Sequence, residues 1–333
     1  GRIPVTDEIT SSSLVRTVIK SWVLPSFFNT INEEIIMENT WQYHGTSPIK
    51  IKRYLSQLGM GHRLFNDIKN GDGQFLVDYR HVRPTTQVLP NQTLTVQVDA
   101  ETPDPTVKSS NQPLTIVYED ANWLVINKPT GIASIPGPTE DNDTILNRVK
   151  GYLEKNEDPN QRPHLITRLD KYTSGLLLVA KHRVASSMIS QQVEKHTMQK
   201  RYLAVVAGKL TKQHGMIDKP IKRVVGQAAR IIDPAGQPAR TEYWCQEASD
   251  DYSLVQLQLH SGRTHQIRVH MSFIGHPLVG DHLYGGPVEI VHHQVLHAST
   301  LSFQDPFTEQ QLQFQAPMSK AQQALLKQLK LAK

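Results

Sequence analysis

The sequence predicts an α+β protein, with a mixed, mostly antiparallel central sheet flanked by helices and a small α+β domain before it. Three observations predict this. Apolar runs of strand length recur from about Leu114 onward, and some are joined by very short turns, as at Asp120-Ala121-Asn122. Helical patterns fall between these runs without the regular strand–helix series of a parallel sheet. A polar stretch holding Pro103, Pro105, Ser109, Ser110 and Pro113 separates them from an earlier segment of different pattern.

Taken in order, residues 1–37 form an unassigned arm. Leu14 to Phe28 has apolar residues at mixed spacing, broken by Pro25, which fits a short helix or a partly ordered arm. Residues 38–100 read as a small domain. Ile49-Lys50-Ile51-Lys52-Arg53-Tyr54-Leu55 begins a basic helix that ends at Leu58 and Gly59. A second helix carries Leu64, Ile68 and Lys69 and stops at Asn70-Gly71. Gln74–Asp78 and Leu94–Val98 read as strands, with Leu89-Pro90-Asn91-Gln92 as the turn between them. Two basic helices followed by β structure resemble the S-four-like RNA-binding module, named after a ribosomal small-subunit protein. Val77-Asp78-Tyr79 departs from the Asn-Gly or Val-Asn usual at that place. The resemblance assigns Lys52 and Arg53 to RNA contact; the bland reading is a small cap that contacts nothing.

Residues 101–113 read as a linker and 114–333 as a second domain. Its strands are expected at 115–120, 123–129, Leu176–Ala180, Tyr202–Ala207, Thr241–Trp244, Ser253–Leu259, Leu296–Ala298 and Leu312–Phe314. Helices are expected from Thr144 to Leu153, Val184 to Lys195, Thr264 to Ile274 and Lys320 to Leu331.

Composition narrows the function classes. Hydrophobic residues make up 38% and charged residues 20%, enough apolar content for a core. Lys plus Arg exceeds Asp plus Glu by 5, which is compatible with a polyanionic partner such as RNA. Cys245 is the single cysteine, so neither an internal disulfide nor a cysteine metal cluster can form, and a reducing compartment is expected. The apolar runs are too short to span a bilayer and no signal segment opens the chain, so a soluble, cytoplasmic protein without a membrane partner is expected. His265, His270, His276, His282, His292, His293 and His297 lack a companion carboxylate or cysteine at a ligand spacing, so no metal is expected. Most of them read as loop or core hydrogen-bonders.

The chemistry-bearing stretch is Arg168-Leu169-Asp170-Lys171-Tyr172-Thr173-Ser174-Gly175, followed by the apolar run Leu176–Ala180. A carboxylate at the mouth of a buried strand is partly desolvated and can be held beside a cation. Alone, it is more often a structural acceptor than a nucleophile. Two further stretches are Lys200-Arg201-Tyr202 and Gly262-Arg263-Thr264-His265-Gln266-Ile267-Arg268-Val269-His270.

Together these stretches resemble the RluA family of RNA pseudouridine synthases. Arg168 to Leu178 matches the family's nucleophile motif, with Thr167 where the family usually has histidine. Arg201 to Gly208 matches its tyrosine motif, and Gly262 to His270 its third motif. Asn127-Lys128-Pro129, Gly275-His276-Pro277, Gly280-Asp281 and Leu296-His297-Ala298 also agree. The resemblance implies a pseudouridine synthase fold and an isomerase that needs no cofactor and no metal. It assigns Asp170 as nucleophile, Arg268 as the cation that keeps it ionised, and Tyr202 as the ring against the target base. Arg168 is assigned the gap left by the flipped base and His265 is assigned to RNA contact, while Arg263 reads as a bond either to RNA or to the loop backbone. Thr167 is expected to tolerate substitution.

The partner implied is RNA, and 23S ribosomal RNA before transfer RNA, because family members with an S-four-like extension often act on the large ribosomal subunit. A monomer is expected. The competing classes are a non-catalytic RNA-binding protein and a hydrolase with an aspartate nucleophile, such as a glycosidase. The latter usually needs a second carboxylate, and none stands out near the motifs.

Overall fold

The computed structural model describes residues 36–138 and 140–332. The expected arm lies outside them except for its last residues, which begin a strand. The chain divides into two compact units. The first runs through Ala100 and takes in Pro306–Glu309; the second is Glu101–Asp305 with Gln310–Lys333.

In the first unit, β1 (Ile36–Gln42) is followed by β2 (Ile49–Lys50), α1 (Ile51–Leu58), α2 (His62–Lys69), β3 (Gln74–Val77), β4 (Arg80–Val82), β5 (Gln87–Val88) and β6 (Thr93–Asp99). The four-stranded sheet has the order β1-β6-β3-β4, and β2 pairs with β5. Helix α1 buries Ile51, Tyr54 and Leu55, and α2 buries Leu64, Phe65 and Ile68, so each helix presents one apolar stripe. Lys52 and Arg53 stay exposed on α1. The ammonium of Lys52 lies 3.3 Å from His62 Nε2.

Both expected helices and strands are present, but β1, β2, β4 and β5 are additional, β2 taking the Ile49-Lys50 expected to open the first helix. The β3–β4 turn is made by Asp78 and Tyr79, both at positive φ (47° and 65°). A two-residue hairpin needs that backbone and usually signals it with Asn-Gly or Asp-Gly. Here the signal is hidden, because the Asp78 carboxylate fixes the turn instead, accepting hydrogen bonds from Thr93 N (2.9 Å) and Gln92 Nε2 (2.8 Å).

The second unit holds β7 (Ile116–Glu119), β8 (Trp123–Lys128), α3 (Ile145–Lys155), β9 (His164–Leu165), β10 (Ser174–Ala180), α4 (Arg183–Glu194) and β11 (Gln199–Ala207). There follow β12 (His214–Asp218), β13 (Ile221–Arg223), β14 (Arg230–Ile232), β15 (Arg240–Ala248), β16 (Tyr252–Leu259), α5 (Gln266–Phe273), β17 (Leu296–Gln304), β18 (Gln311–Gln315) and α6 (Lys320–Gln328). A ten-stranded sheet has the order β12-β15-β16-β11-β17-β10-β8-β7, with β18 paired to β17 and β9 to β10. Only the β10–β17 pairing is parallel, which makes the fold α+β with a mixed, mostly antiparallel sheet, as the sequence predicts. All of β10 is buried, which explains its unbroken apolar run. Leu177 and Val179 pack in one core with Ile145 and Val149 of α3, Val206 of β11 and Ile267 and Met271 of α5.

The stretch 101–113, expected as a linker, belongs to the second unit. Ser110 N donates to Asn147 O (3.0 Å), and the buried Lys150 donates to Asp104 O (2.8 Å) and Val107 O (2.5 Å). A buried ammonium must find acceptors, and these carbonyls supply them. Among the described residues, no helix is long and apolar enough to cross a membrane.

Candidate active site

The strand order explains how the site assembles. Ala298 of β17 pairs with Gly175 of β10 on one side and Tyr202 of β11 on the other. The motif piece Leu296-His297-Ala298 is therefore the strand between the Asp170 loop and Tyr202. Gly175 sits at φ 109°, and a Cβ there would stand 2.2 Å from Ala298 O, so no other residue fits that pairing. The β11–β17 register shifts between Arg201 and Tyr202, and such a bulge re-aims the side chain beside it.

The segment leading into β10 is pinned at alternate residues. The buried Thr167 accepts a hydrogen bond from Leu178 N at its hydroxyl (2.9 Å). Leu169 is buried, and Ser134 Oγ both donates to its carbonyl (2.7 Å) and accepts from its N–H (3.0 Å). Arg168 then faces outward and is exposed, with no polar partner among the described residues. Asp170 is half-buried, and Thr173 N donates to its carbonyl (3.0 Å). Thr167, where tolerance is expected from sequence, anchors this segment to β10 through its hydroxyl.

Lys128, at the end of β8, is fully buried. Its Nζ donates to Pro129 O (3.0 Å), Ile132 O (2.7 Å) and Lys171 O (3.0 Å), tying the loop after β8 to the one that carries Asp170. Burial draws its pKa down to about 7, against the pull of Asp170 and Glu140. Three acceptors call for three hydrogens, which only the ammonium form has. Lys128→Met leaves three carbonyls without this donor and is expected to lower stability by about 3 kcal/mol. Urea denaturation checks this.

The cation facing Asp170 is Arg268 of α5. Its Nε donates to Asp281 Oδ2 (2.6 Å) and its Nη2 to Asp281 Oδ1 (2.8 Å), a bidentate fork, while Nη1 reaches Asp170 Oδ2 at 3.3 Å. The guanidinium also lies 5.0 Å from the centroid of the Tyr284 ring. Burial works against its charge, but Asp281, Asp170 and Tyr284 outweigh this and raise its pKa.

Tyr202 is buried in β11. Burial, and then the charge of Asp170, push its phenol well above its ordinary range, so it stays protonated. His265, the residue before α5, stands in the left-handed region (φ 58°) with Nε2 3.8 Å from Asp170 Oδ2. His265, at the cap of α5, and Arg268, in its first turn, point at the same carboxylate oxygen. Gln266 fixes the start of α5: its Oε1 accepts from Ser261 Oγ (2.8 Å) and Arg263 N (3.0 Å), and its Nε2 donates to Arg240 O (3.0 Å). The helix therefore begins two residues later than the sequence pattern suggests.

Asp170, Tyr202, Arg268 and His265 thus come together. Arg263 does not join them, since its Nε donates to Pro238 O (3.1 Å). Lys52 and Arg53 belong to the first unit. Asp281, Tyr284 and Lys128 are the residues that sequence reasoning missed. Asp281 and Lys128 lie in motif pieces already quoted, but no spacing ties them to Arg268 or Asp170. The other histidines are partly accounted for by hydrogen bonds: His270 Nε2 donates to Lys219 O (2.9 Å), His276 Nδ1 to Ala207 O (2.8 Å) and His297 Nε2 to Ala316 O (2.9 Å). Among the described residues, no group of three His, Cys, Asp or Glu side chains could hold a metal ion.

A family model described as RNA pseudouridylate synthase matches residues 122–273, the span that carries this geometry. The chain is 40% identical over 280 residues to the uncharacterised RNA pseudouridine synthase YjbO of Bacillus subtilis (strain 168), covering 83% of this chain and 98% of that protein. It is 36% identical over 264 residues to ribosomal large subunit pseudouridine synthase D of Vibrio vulnificus (strain CMCP6), covering 74% and 80%. Among solved structures, Human RNA Pseudouridylate Synthase Domain Containing 1 is 25% identical with a TM-score of 0.52, over 67% of this chain and 97% of that one. These matches place the chain among RNA-modifying isomerases. The chain belongs to the RluA family of RNA pseudouridine synthases.

Proposed function

We propose that the enzyme isomerises specific uridines in large-subunit ribosomal RNA, with Asp170 as nucleophile. The observation that carries this reading is the half-buried Asp170 held at Oδ2 by Arg268, whose guanidinium is locked in turn by Asp281.

The reaction breaks the bond from ribose to uracil nitrogen, turns the base and joins the ribose to a ring carbon. It is redox-neutral and consumes no water, so the demand on the protein is one ionised carboxylate at the sugar–base junction. Arg268 sets a fixed positive charge and one N–H beside that carboxylate. Its fork is already spent on Asp281, so it holds Asp170 by a single N–H and leaves the carboxylate free to react. Tyr202, kept as a phenol, offers its ring face to the uracil. Arg168 faces outward from the same segment, suited to stack where the target base has left the helix, a flip that costs a few kcal/mol.

The relatives named ribosomal large subunit pseudouridine synthase D favour ribosomal RNA, and the basic residues of α1 in the first unit suit RNA of either kind. The enzyme works as a cytoplasmic monomer in this reading. The test is tritium release from RNA labelled at the uracil carbon that becomes bonded to ribose. Release from large-subunit ribosomal RNA transcripts and not from transfer RNA supports it; the opposite pattern overturns the substrate, and no release from either overturns the reading.

A further inference from the structure

We propose that His265 and Tyr284 form a second arm that holds Asp170 by Oδ2, leaving Oδ1 as the oxygen that meets the target nucleotide. The inference rests on the reading of Asp170 as nucleophile and deepens it. Tyr284 ends the short helical turn His282–Tyr284, and its hydroxyl stands 2.9 Å from His265 Nδ1. The same hydroxyl oxygen accepts a hydrogen bond from Arg230 N (2.8 Å). If Nδ1 also donated to it, the phenol hydrogen would have no acceptor among the described residues. The hydroxyl therefore donates to Nδ1, and the neutral imidazole carries its hydrogen on Nε2.

Nε2 is the atom that faces Asp170 Oδ2 at 3.8 Å. That separation is long for a hydrogen bond, and contacts of this kind tighten when substrate closes a site. The imidazole is held neutral. Burial opposes its charge, as do Arg268 and Arg230, against the pull of Asp170 and Asp281.

Three further facts mark the arm as built. His265 occupies a left-handed backbone that L residues adopt at a cost, and such strain is retained where a side chain must point one way. The Tyr284 ring meets the His265 ring edge-on, with centroids 5.7 Å apart. The Arg268 guanidinium lies over the same ring, so one tyrosine supports both groups that converge on Oδ2. Asp170 Oδ1 has no hydrogen-bond partner among the described residues. His265 and Tyr284 are positioning residues here, acting through Asp170.

The experiment uses the full chain and combines nitrogen-15 NMR of the histidine side chains with steady-state kinetics on ribosomal RNA. Wild type should show His265 with its hydrogen on Nε2. Tyr284→Phe keeps the ring under Arg268 and should let the other tautomer appear. It should also lower kcat about tenfold, as for one lost hydrogen bond, while leaving KM within about twofold. Asn suits the left-handed backbone, but its short amide reaches only the place of Nδ1, so His265→Asn should lose kcat similarly. His265→Gln, whose amide N–H can take the place of Nε2, should recover most of that loss. The hydrogen on Nδ1 in wild type, or full kcat in His265→Asn, would overturn the proposal while inactive Asp170→Asn leaves the nucleophile standing. Activity in Asp170→Asn would remove both.

Discussion

Asp170→Asn is expected to lower turnover by about four orders of magnitude or more, the scale seen when a reacting group is removed from its site. Asn has the same shape and keeps the backbone bond from Thr173 N to the carbonyl of residue 170. What it loses is the charge that attacks. Arg268 retains both bonds to Asp281, so the substitution strands no buried cation. Stability should therefore shift by only about 1 kcal/mol. RNA affinity should hold within a few-fold, because phosphate contacts by basic side chains dominate such binding. Thermal unfolding, filter binding and single-turnover kinetics on one preparation check all three.

Asp281→Ala has the second large effect, and it falls on stability. The Asp281 side chain is completely buried, and it takes two hydrogen bonds from Arg268. Removing one partner of a buried pair leaves the other unpaired at a cost of about 3–5 kcal/mol. The freed guanidinium has only Asp170 left to bind, so the nucleophile should also be over-held and turnover should fall. Replacing both members separates the two roles. Arg268→Met with Asp281→Leu should regain most of the stability, since an apolar pair of similar volume fills a buried site without desolvation cost. It should not regain turnover, because the Arg268 N–H that holds the Asp170 carboxylate in place is then gone. Urea denaturation and kinetics on the three proteins check this.

β10 was legible because its run from Leu176 to Ala180 is apolar throughout. Leu176–Ala180 reads as buried from its residues alone, and β10 is buried along its whole length. β17 was not legible to its full extent. Only Leu296–Ala298 reads as strand, yet the element runs through Gln304, because Ser299, Thr300 and Ser302 interrupt the apolar pattern of a strand that pairs on both sides. The short strands β4 and β13 carry basic side chains at or next to the turn and have too few apolar positions to show alternation.

The site divides in the same way. Residues that act within one short motif, such as Arg168 with Asp170, are adjacent in sequence and easily noticed. Asp281 and Tyr284 reach Arg268 and His265 only through tertiary folding, from a turn that follows α5, and nothing in their spacing reports it. Lys128 reads as a polar strand end, and its three carbonyl partners exist only once two loops have met.

The most direct test of the central claim is pseudouridine mapping of large-subunit ribosomal RNA from cells lacking the gene, complemented with wild type or with Asp170→Asn. The account predicts at least one pseudouridine lost with the gene, restored by wild type and absent with Asp170→Asn. An unchanged map without the gene, or restoration by Asp170→Asn, would contradict it.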